Sequence, residues 1–300
     1  MKKNLVSVKD LKRTEVLDLF QLASKLKKEI RQKKFRKYLQ NKTVALIFKK
    51  PSNRTLASFQ VGTWQLGGFS FNMSDSAGVG VRESAKDVAL TLSRYVDGIV
   101  IRTFAQEEVE ELARFASVPV INALTDFEHP CQALADFFTI WEKKKGNLKK
   151  LKLAYIGDCN NVCHSLVFLA DILGVKVFVA SPAAYQPSAE IFRDYLKRGV
   201  LIVSEDPEEA VGGADFIYTD VWVSMGQEAE AQKRLADFKK YQINSRLMAL
   251  AKKNHYVMHC LPAHRGQEIT DEVIDGPNSI VFEQAENRLH VQKAVLVKLI

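Results

Sequence analysis

The strongest constraint on the fold is a regular alternation of short apolar segments with longer segments of helical periodicity. In the first half of the chain, this pattern predicts strands over residues 43–48 and 98–101 and helices over residues 53–66 and 130–141. Apolar strands that alternate with helices are typical of parallel sheets, because the crossover helices cover both faces of the sheet. We therefore expect an α/β fold.

The second half of the chain repeats the alternation. A polar stretch over residues 141–147 interrupts the apolar periodicity and predicts a boundary between two domains, 1–141 and 147–285. Each domain is expected to be a parallel sheet flanked by helices. The strands predicted in the second domain cover residues 153–156, 175–180, 201–203, 216–219, 256–259 and 279–282.

The chain is basic, with a net charge of +8 and an isoelectric point near 9.2. Much of the excess lies in residues 25–28, 31–34 and 143–145, where apolar residues at helical spacing interrupt the charges. Such runs are typical of solvated helix faces. No groove-reading motif accompanies them, so the charge does not predict a nucleic-acid partner. It suits an anionic substrate at least as well.

The sequence predicts neither secretion nor a membrane span. The charged start of the chain is followed by no continuous apolar stretch, and no apolar run approaches membrane-spanning length. The four cysteines, Cys131, Cys159, Cys163 and Cys260, have neither the number nor the spacing of a disulfide framework. We therefore expect a cytoplasmic protein.

Polar residues follow the predicted strands, which is where open parallel sheets bind their ligands. After the first predicted strand, the backbone amides of a helix start combine with the hydroxyls of Ser52 and Thr55 and the guanidinium of Arg54. This combination suits an anion, although a helix-capping role explains Ser52 equally well. Arg102 closes the next predicted strand, where an arginine serves as a ligand fork or in a buried ion pair.

His129 and Gln132 form a third polar cluster in the first half of the chain. Pro130 suits the first helical position, which places His129 at the helix entrance and Gln132 about one turn later. By itself, a histidine at this position is more often a cap than a catalytic group. Three such clusters together favour a binding site.

Three further segments follow strands in the second half. Residues 157–165 lack the spaced glycines of a dinucleotide loop, whereas an amide such as Asn161 can bind an amino acid carboxylate. Asp220 follows another predicted strand and can bind an ammonium group or cap a turn. Cys260 follows a third, and for a single cysteine a buried apolar thiol is the commoner explanation.

Three motifs in the first half carry a family resemblance: Ser52-Asn53-Arg54-Thr55, Arg102-Thr103 and His129-Pro130-Cys131-Gln132. They resemble the carbamoyl phosphate half of the aspartate and ornithine carbamoyltransferases, and the similarity runs essentially from end to end of the chain. The resemblance implies that the C-terminal helix, residues 286–300, returns to the first domain. The carbamoyl phosphate site that it implies consists of Ser52, Asn53, Arg54, Thr55, Arg102, His129, Gln132 and Arg288.

Two segments in the second half resemble the ornithine enzymes of this family, namely Ser224-Met225-Gly226 and His259-Cys260-Leu261-Pro262. The aspartate enzymes differ at both places. The ornithine site implied by the resemblance consists of Asn161, Asp220, Ser224, Met225, Cys260 and Leu261. The catalytic residues that it implies are Thr55, Arg102, His129 and Cys260.

The implied reaction transfers the carbamoyl group of carbamoyl phosphate to the side-chain amine of ornithine, which gives citrulline in arginine biosynthesis. Thr55, Arg102 and His129 would contact the carbamoyl oxygen and Gln132 the carbamoyl nitrogen, so that developing charge is stabilised. The reaction needs no metal or organic cofactor. The resemblance also implies a homotrimer in which residues 76–82 reach into a neighbouring active site.

The sequence departs from the family pattern at three positions of the donor site. Asn53 stands where the family has threonine, Leu56 where it has a second arginine, and Gly78 where a glutamine is usual. Because two or three anion contacts are missing, two alternatives stay open. One is a transferase for a related amine or a different activated carbamoyl donor, and the other is a non-catalytic ornithine-binding paralogue.

Overall fold

A computed structural model describes residues 3–73, 83–224 and 226–300. The chain divides into two compact units, Met1–Phe138 with Glu286–Ile300, and Thr139–Ala285. Each unit is built on a parallel sheet flanked by helices, which confirms the predicted α/β fold class. In the described part of the chain, no helix is both long and apolar enough to cross a membrane.

The first unit contains a four-stranded sheet with the strand order β2-β1-β3-β4, and every pairing is parallel. The strands are β1 (Thr43–Phe48), β2 (Phe69–Met73), β3 (Gly98–Arg102) and β4 (Val120–Leu124). The helices that begin in this unit are α1 (Arg13–Arg31), α2 (Asn53–Gln65), α3 (Ala85–Leu92), α4 (Gln106–Phe115) and α5 (Pro130–Lys143).

Alternate residues of the central strands pack under helices α3 and α4. Ala45 and Ile47 of β1 join Ile99 and Ile101 of β3 in one buried apolar cluster with residues of both helices. The spacing of two residues follows from the pleat, which sends successive side chains to opposite faces. Burial of each large aliphatic side chain stabilises the unit by about 1.5–3 kcal/mol.

The second unit contains a five-stranded parallel sheet with the order β7-β6-β5-β8-β9. Its strands are β5 (Lys152–Ile156), β6 (Lys176–Ala180), β7 (Leu201–Ser204), β8 (Phe216–Thr219) and β9 (Tyr256–His259). The remaining helices are α6 (Asn161–Leu173), α7 (Ala189–Lys197), α8 (Pro207–Val211), α9 (Ala231–Asp237), α10 (Ser245–Met248), α11 (Asp271–Ile274) and α12 (Val281–Leu299).

The strand order reverses once in each sheet, and these reversals locate the predicted sites. In the first unit the chain moves outward from β1 to β2 and then crosses back to β3. In the second it moves from β5 to β6 and β7 and crosses back to β8. Open parallel sheets bind ligands at such switch points, beyond the carboxyl ends of the two diverging strands. The segments after β1, β3, β5 and β8 therefore occupy binding positions.

The predicted strand at residues 279–282 is wrong. Only Ser279 makes an isolated parallel bridge, with Val257, and α12 begins at Val281. The short apolar run at Ser279–Phe282 continues into a long segment of helical periodicity, and a run of this length does not distinguish a strand from a buried helix start.

The C-terminal part of α12 belongs to the first unit, as predicted. Lys27 Nζ of α1 donates to Asn287 Oδ1 at 2.7 Å, and Lys293 Nζ donates to Gln65 Oε1 of α2 at 2.9 Å. Both lysine side chains are buried and find acceptors on the facing helices. They therefore fix the position of α12 in the unit that contains the phosphate loop.

Candidate active site

The phosphate loop lies between β1 and the start of α2. Ser52 occupies the N-cap position with an extended backbone, but its side chain makes no capping hydrogen bond. The alternative explanation of Ser52 as a helix cap is therefore not supported. Asn53 and Arg54 are exposed in the first turn, whereas Thr55 is buried. The uncapped amides and the exposed guanidinium suit an anion.

A second guanidinium reaches the start of α2 from the C-terminal helix. Arg288 Nη2 donates a short hydrogen bond to the hydroxyl of Thr55, and both side chains are buried. Arg288 follows Asn287, which the buried Lys27 anchors. Thr55 and Arg288, two residues assigned to the donor site by resemblance, are thus in direct contact.

Arg102 and His129 are buried at the ends of two other segments of this unit. Arg102 is the last residue of β3, and His129 immediately precedes α5. Burial lowers the pKa of His129 well below its ordinary value of 6.5, and the positive charges of Arg288 and Arg102 lower it further. The imidazole is therefore neutral at neutral pH and can donate a hydrogen bond without carrying charge.

Gln132 lies one turn into α5 and has an amide of defined orientation. Its Nε2 donates to Asp136 Oδ1 at 2.8 Å. Its Oε1 is buried and accepts no hydrogen bond from any residue that the structure describes. A buried acceptor of this kind requires a donor to offset its desolvation. An amide N–H of a ligand would satisfy it.

The loop before His129 is held by the beginning of the chain. The carboxylate of Glu128 accepts a short hydrogen bond from the hydroxyl of Ser7 and a bond of 3.2 Å from the N–H of Val8. Glu128 is fully buried, so these donors compensate for the loss of hydration. Sequence reasoning did not identify Glu128, because its partners lie about 120 residues away.

In the second unit, Asn160 joins the loop after β5 to the loop after β8. Its Oδ1 caps α6 by accepting from the N–H groups of Val162 and Cys163, and its Nδ2 donates to Asp220 Oδ2 at 2.7 Å. Asn161, the residue predicted to bind ornithine, is the first residue of α6. Asn160 was not predicted, although an asparagine before an apolar helical segment is a recognisable N-cap signal.

Asp220 is buried and accepts three hydrogen bonds. Besides Asn160, its donors are the N–H of Val221 at 2.8 Å and the thiol of Cys260 at 2.9 Å, both to Oδ1. The structure therefore brings together Asp220 and Cys260, which lie 40 residues apart in the chain. A buried carboxylate that accepts hydrogen bonds is a suitable partner for an ammonium group.

His259 and Glu268 support the backbone beside Cys260. The N–H of Leu261 donates to His259 Nδ1 at 2.9 Å, so the ring proton resides on Nε2, which donates to Glu268 Oε1 at 3.1 Å. Both side chains are fully buried. Leu261 has a φ of +57° and precedes a cis peptide bond to Pro262. A left-handed leucine is uncommon, and its hydrogen bond to His259 stabilises this conformation.

Asp220, His259 and Cys260 are also close enough to suit a metal ion, since one ligand atom from each lies within 4.8 Å of the others. Both nitrogens of His259 already have hydrogen-bond partners, however, and Cys260 donates to Asp220. As arranged, the thiol of Cys260 is bonded to Asp220, whereas the imidazole of His259 is bonded to Glu268 and to the N–H of Leu261.

Ser224 lies in the loop after β8, where side chains of the same loop accept hydrogen bonds from its backbone. The N–H of Ser224 donates to Gln227 Oε1 at 3.0 Å, and the N–H of Gly226 donates to the carboxylate of Glu228. Gly226 has a φ of +91°, which favours glycine. Met225, and the predicted contacts of residues 76–82 together with Gly78, lie outside the described residues.

Two family models together match nearly the whole chain. Residues 3–142 match the aspartate/ornithine carbamoyltransferase carbamoyl-P binding domain, and residues 149–299 match the Asp/Orn binding domain of the same family. The chain therefore belongs to the aspartate/ornithine carbamoyltransferase family, which confirms the resemblance seen in its motifs.

Within the family, the similar proteins carry a more specific name. The ornithine carbamoyltransferase of Methanosarcina mazei is 49% identical over 100% of this chain and 99% of that protein. The ornithine carbamoyltransferase of Caldicellulosiruptor saccharolyticus is 50% identical over 98% of this chain and 97% of that protein. Among solved structures, the Pyrococcus furiosus ornithine carbamoyltransferase has a TM-score of 0.93 and 47% identity, over 98% of this chain and 95% of that one.

Proposed function

We propose that this protein transfers the carbamoyl group of carbamoyl phosphate to the side-chain amine of ornithine, giving citrulline and phosphate. The observation that carries the proposal is the contact of the Cys260 thiol with the buried carboxylate of Asp220, in a chain that belongs to this family over nearly its whole length. The reaction serves arginine biosynthesis in this proposal.

The first unit binds the donor in this proposal. Ser52, Asn53, Arg54 and the amides of the α2 start hold the phosphate, and Thr55 and Arg288 hold the junction between phosphate and carbamoyl group. The neutral imidazole of His129 and the guanidinium of Arg102 donate to the carbamoyl oxygen as it gains negative charge. Gln132 Oε1 accepts from the carbamoyl N–H₂, which gives this buried oxygen the donor that it lacks among the described residues.

The second unit binds the acceptor. Asp220 attracts ammonium groups of ornithine, while Asn161, Ser224 and Met225 position its amino acid end. Attack on the carbonyl carbon requires an uncharged amine, because an ammonium nitrogen has no lone pair. Cys260 and Leu261 lie beside the reacting amine in this proposal, and Cys260 influences the amine through its bond to Asp220.

The nucleophile forms a bond to the carbonyl carbon, the tetrahedral oxyanion collapses, and the C–O bond to phosphate breaks. The departing phosphate accepts the proton that the amine loses. Every atom is supplied by the two substrates, so the proposed reaction requires no metal or organic cofactor. The protein contributes orientation and stabilisation of the oxyanion.

Purified protein incubated with carbamoyl phosphate and an amine tests the proposal. We expect citrulline from ornithine and no comparable product from aspartate, because Asp220 suits an ammonium group and, among the described residues, the acceptor site offers a second carboxylate no basic partner. Putrescine, lysine and acetylornithine complete the panel and test the related-amine alternative. Absence of citrulline, with ornithine binding retained, would favour the non-catalytic alternative.

We also propose a homotrimer located in the cytoplasm. Several large apolar side chains of the first unit are exposed, and exposed apolar patches are typical of interfaces. They are Val61, Trp64, Phe69, Leu90 and Tyr95. All four cysteines are free thiols, which suits a reducing compartment. Light scattering should report three times the chain mass of 33.8 kDa; an active species with the mass of one chain would exclude the trimer.

A further inference from the structure

A buried ion pair joins two of the three segments of the second unit that carry the proposed ornithine ligands. Arg234 Nη1 donates to Asp158 Oδ2 at 2.8 Å, and the same nitrogen donates to the backbone oxygen of Trp222 at 3.0 Å. Only 7% and 11% of the Arg234 and Asp158 side chains are exposed. Almost every other ion pair of the described residues has at least one partner more exposed than these.

Asp158 lies in the loop after β5, three residues before Asn161. Its backbone oxygen accepts from the hydroxyl of Tyr155 at 2.9 Å and from the N–H of Asn160 at 2.8 Å. The backbone of Asp158 is thus tied to the residue that donates to Asp220. A displacement of Asp158 would therefore move the Asn160 and Asn161 segment.

Trp222 lies between Asp220 and Ser224, in the loop after β8. Its indole stacks on Phe238 at 5.9 Å between ring centroids, and its backbone oxygen has Arg234 as a donor. A single guanidinium nitrogen therefore sets the spacing between the β5 loop and the β8 loop. A lysine ammonium lacks the planar, fixed arrangement of donors that would reproduce these two hydrogen bonds.

Arg234 itself is held in place from the opposite side. Its guanidinium stacks over the ring of Tyr185 at 4.7 Å, and its Nε donates to Glu230 Oε2 at 3.3 Å. The ring of Tyr185 is anchored through its hydroxyl, which donates to Asp237. The side chain is therefore fixed before any ligand binds, as a positioning group requires.

We propose that Arg234 and Asp158 are positioning residues for the amino acid end of the acceptor, and that they set the distance between Asn161 on one loop and Asp220 and Ser224 on the other. The inference rests on the proposed function for the identity of the acceptor. Arg234 and Asp158 touch no reacting atom in this proposal, and their effect is confined to the binding of the acceptor.

The variants Arg234→Lys and Asp158→Asn test this role with steady-state kinetics for both substrates. Each should raise the Michaelis constant for ornithine by about tenfold or more, because small displacements of binding groups weaken binding strongly. The Michaelis constant for carbamoyl phosphate should stay unchanged. A merely structural role would instead reduce the fraction of active enzyme, which lowers kcat and leaves both Michaelis constants as they were.

Arg265→Lys is the matched control, because Arg265 forms an exposed ion pair with Asp275 in the same unit. It should leave both Michaelis constants unchanged. The double variant Arg234→Lys with Asp158→Asn should be less than additive, since both changes break one contact. Arg234→Met gives a stronger test if it folds; Arg234→Lys decides the question if it does not.

Failure of the inference is distinguishable from failure of the proposed function. If the unaltered protein forms citrulline and the variants keep its Michaelis constant for ornithine, the positioning role is overturned. If the unaltered protein forms no citrulline, calorimetric titration with ornithine replaces the kinetic assay. Weaker ornithine binding by both variants than by the unaltered protein and Arg265→Lys would then support the role, and equal binding would overturn it.

Discussion

At the scale of single residues, the surroundings of His129 determine the protonation state of its imidazole. Burial disfavours the charged imidazolium, and the guanidinium groups of Arg288 and Arg102 repel it. Because the pKa lies well below 6.5, acidification from pH 8 to 6.5 does not charge the ring. A neutral imidazole is therefore available as a hydrogen-bond donor over the whole of this range.

We expect His129→Gln to lower kcat by about 10²–10³, as for the removal of other oxyanion donors, with a smaller effect on the Michaelis constants. Nitrogen chemical shifts of His129 should remain those of a neutral ring down to pH 6.5. In the unfolded chain, the same histidine should titrate near its ordinary value. Protonation of the folded ring near pH 6.5 would contradict the expected shift of its pKa.

Cys260→Ala should raise the Michaelis constant for ornithine by about tenfold or more, because a hydrogen bond to a charged group contributes about 1.5–3 kcal/mol. The variant removes one of the three donors of Asp220. Cys131→Ala is a control, since this thiol is buried in the first unit and donates to the backbone oxygen of Asn122. If ornithine kinetics stayed the same in Cys260→Ala, the thiol would have only a packing role.

Three of the predicted site residues lie at the carboxyl ends of strands. Asp220 and Cys260 directly follow strands and Arg102 ends β3, so their sequence positions alone place them at this edge of a parallel sheet. His259 and Glu268 act through buried contacts with a backbone whose conformation depends on the folded loop. No local pattern reports such contacts, and sequence reasoning did not find these two residues.

At the scale of secondary structure elements, the strands predicted over residues 43–48 and 98–101 and the helices predicted over residues 53–66 and 130–141 match the structure to within two residues at their ends. Two strands of the first unit were not predicted, for different reasons. Strand β2 is a partly exposed edge strand of five residues, so its alternation is weak. Strand β4 has a buried polar residue, Asn122, whose amide donates to the backbone of Val6. Tertiary contacts, rather than the local sequence pattern, determine that both segments form strands.

The first turn of α2 contains the predicted departure from the family pattern. Leu56 follows the buried Thr55, and an arginine at this position would add donors beside a dianion. Lys50 does not simply replace that arginine, because it forms a short ion pair with Asp126 and lies 4.3 Å from the ring of Phe104. Donor affinity should therefore be lower than in enzymes with the full motif.

Leu56→Arg should lower the Michaelis constant for carbamoyl phosphate by about tenfold, leave that for ornithine nearly unchanged, and increase the salt dependence of donor binding. Asn53→Thr combined with it should be non-additive, since both residues address one phosphate. Ile191→Arg, which adds the same charge to an exposed position of α7, should have no effect. Tight donor binding that none of these changes alters would mean that another basic residue has taken over the role.

At the scale of the whole molecule, apolar runs that alternate with helical segments predict parallel sheets in both halves of the chain. The structure confirms this prediction with one parallel sheet in each unit. The sequence pattern does not specify the strand order, because each switch point depends on which strand edge a crossover helix covers. The sequence pattern also does not show which charged side chains form hydrogen bonds at the ends of buried strands. Asp215 is the clearest case in the second unit.

Asp215 precedes β8 and accepts from Lys252 Nζ at 2.7 Å, Lys144 Nζ at 3.0 Å and the N–H of Lys152 at 3.1 Å. Burial alone would raise the pKa of Asp215, but the hydrogen bonds from Lys252 and Lys144 outweigh burial and lower the pKa below 3.8. A carboxyl group with a lowered folded-state pKa stabilises the fold above its unfolded pKa and loses that contribution as the pH falls through the folded value.

Asp215→Asn should therefore reduce the free energy of unfolding by about 2 kcal/mol at pH 7, a value below that for fully buried pairs because the lysines are partly exposed. Urea titrations monitored by circular dichroism at several pH values measure the effect. The difference between the two proteins should be constant from pH 7 to about 4.5 and shrink below 3.8, as the native carboxylate is protonated. Asp171→Asn removes the ion pair with Arg198, which lies at the surface. It should change the midpoint of urea unfolding little at any pH. A difference that persisted undiminished to pH 2 would show that Asp215 stabilises the unit by packing rather than by charge.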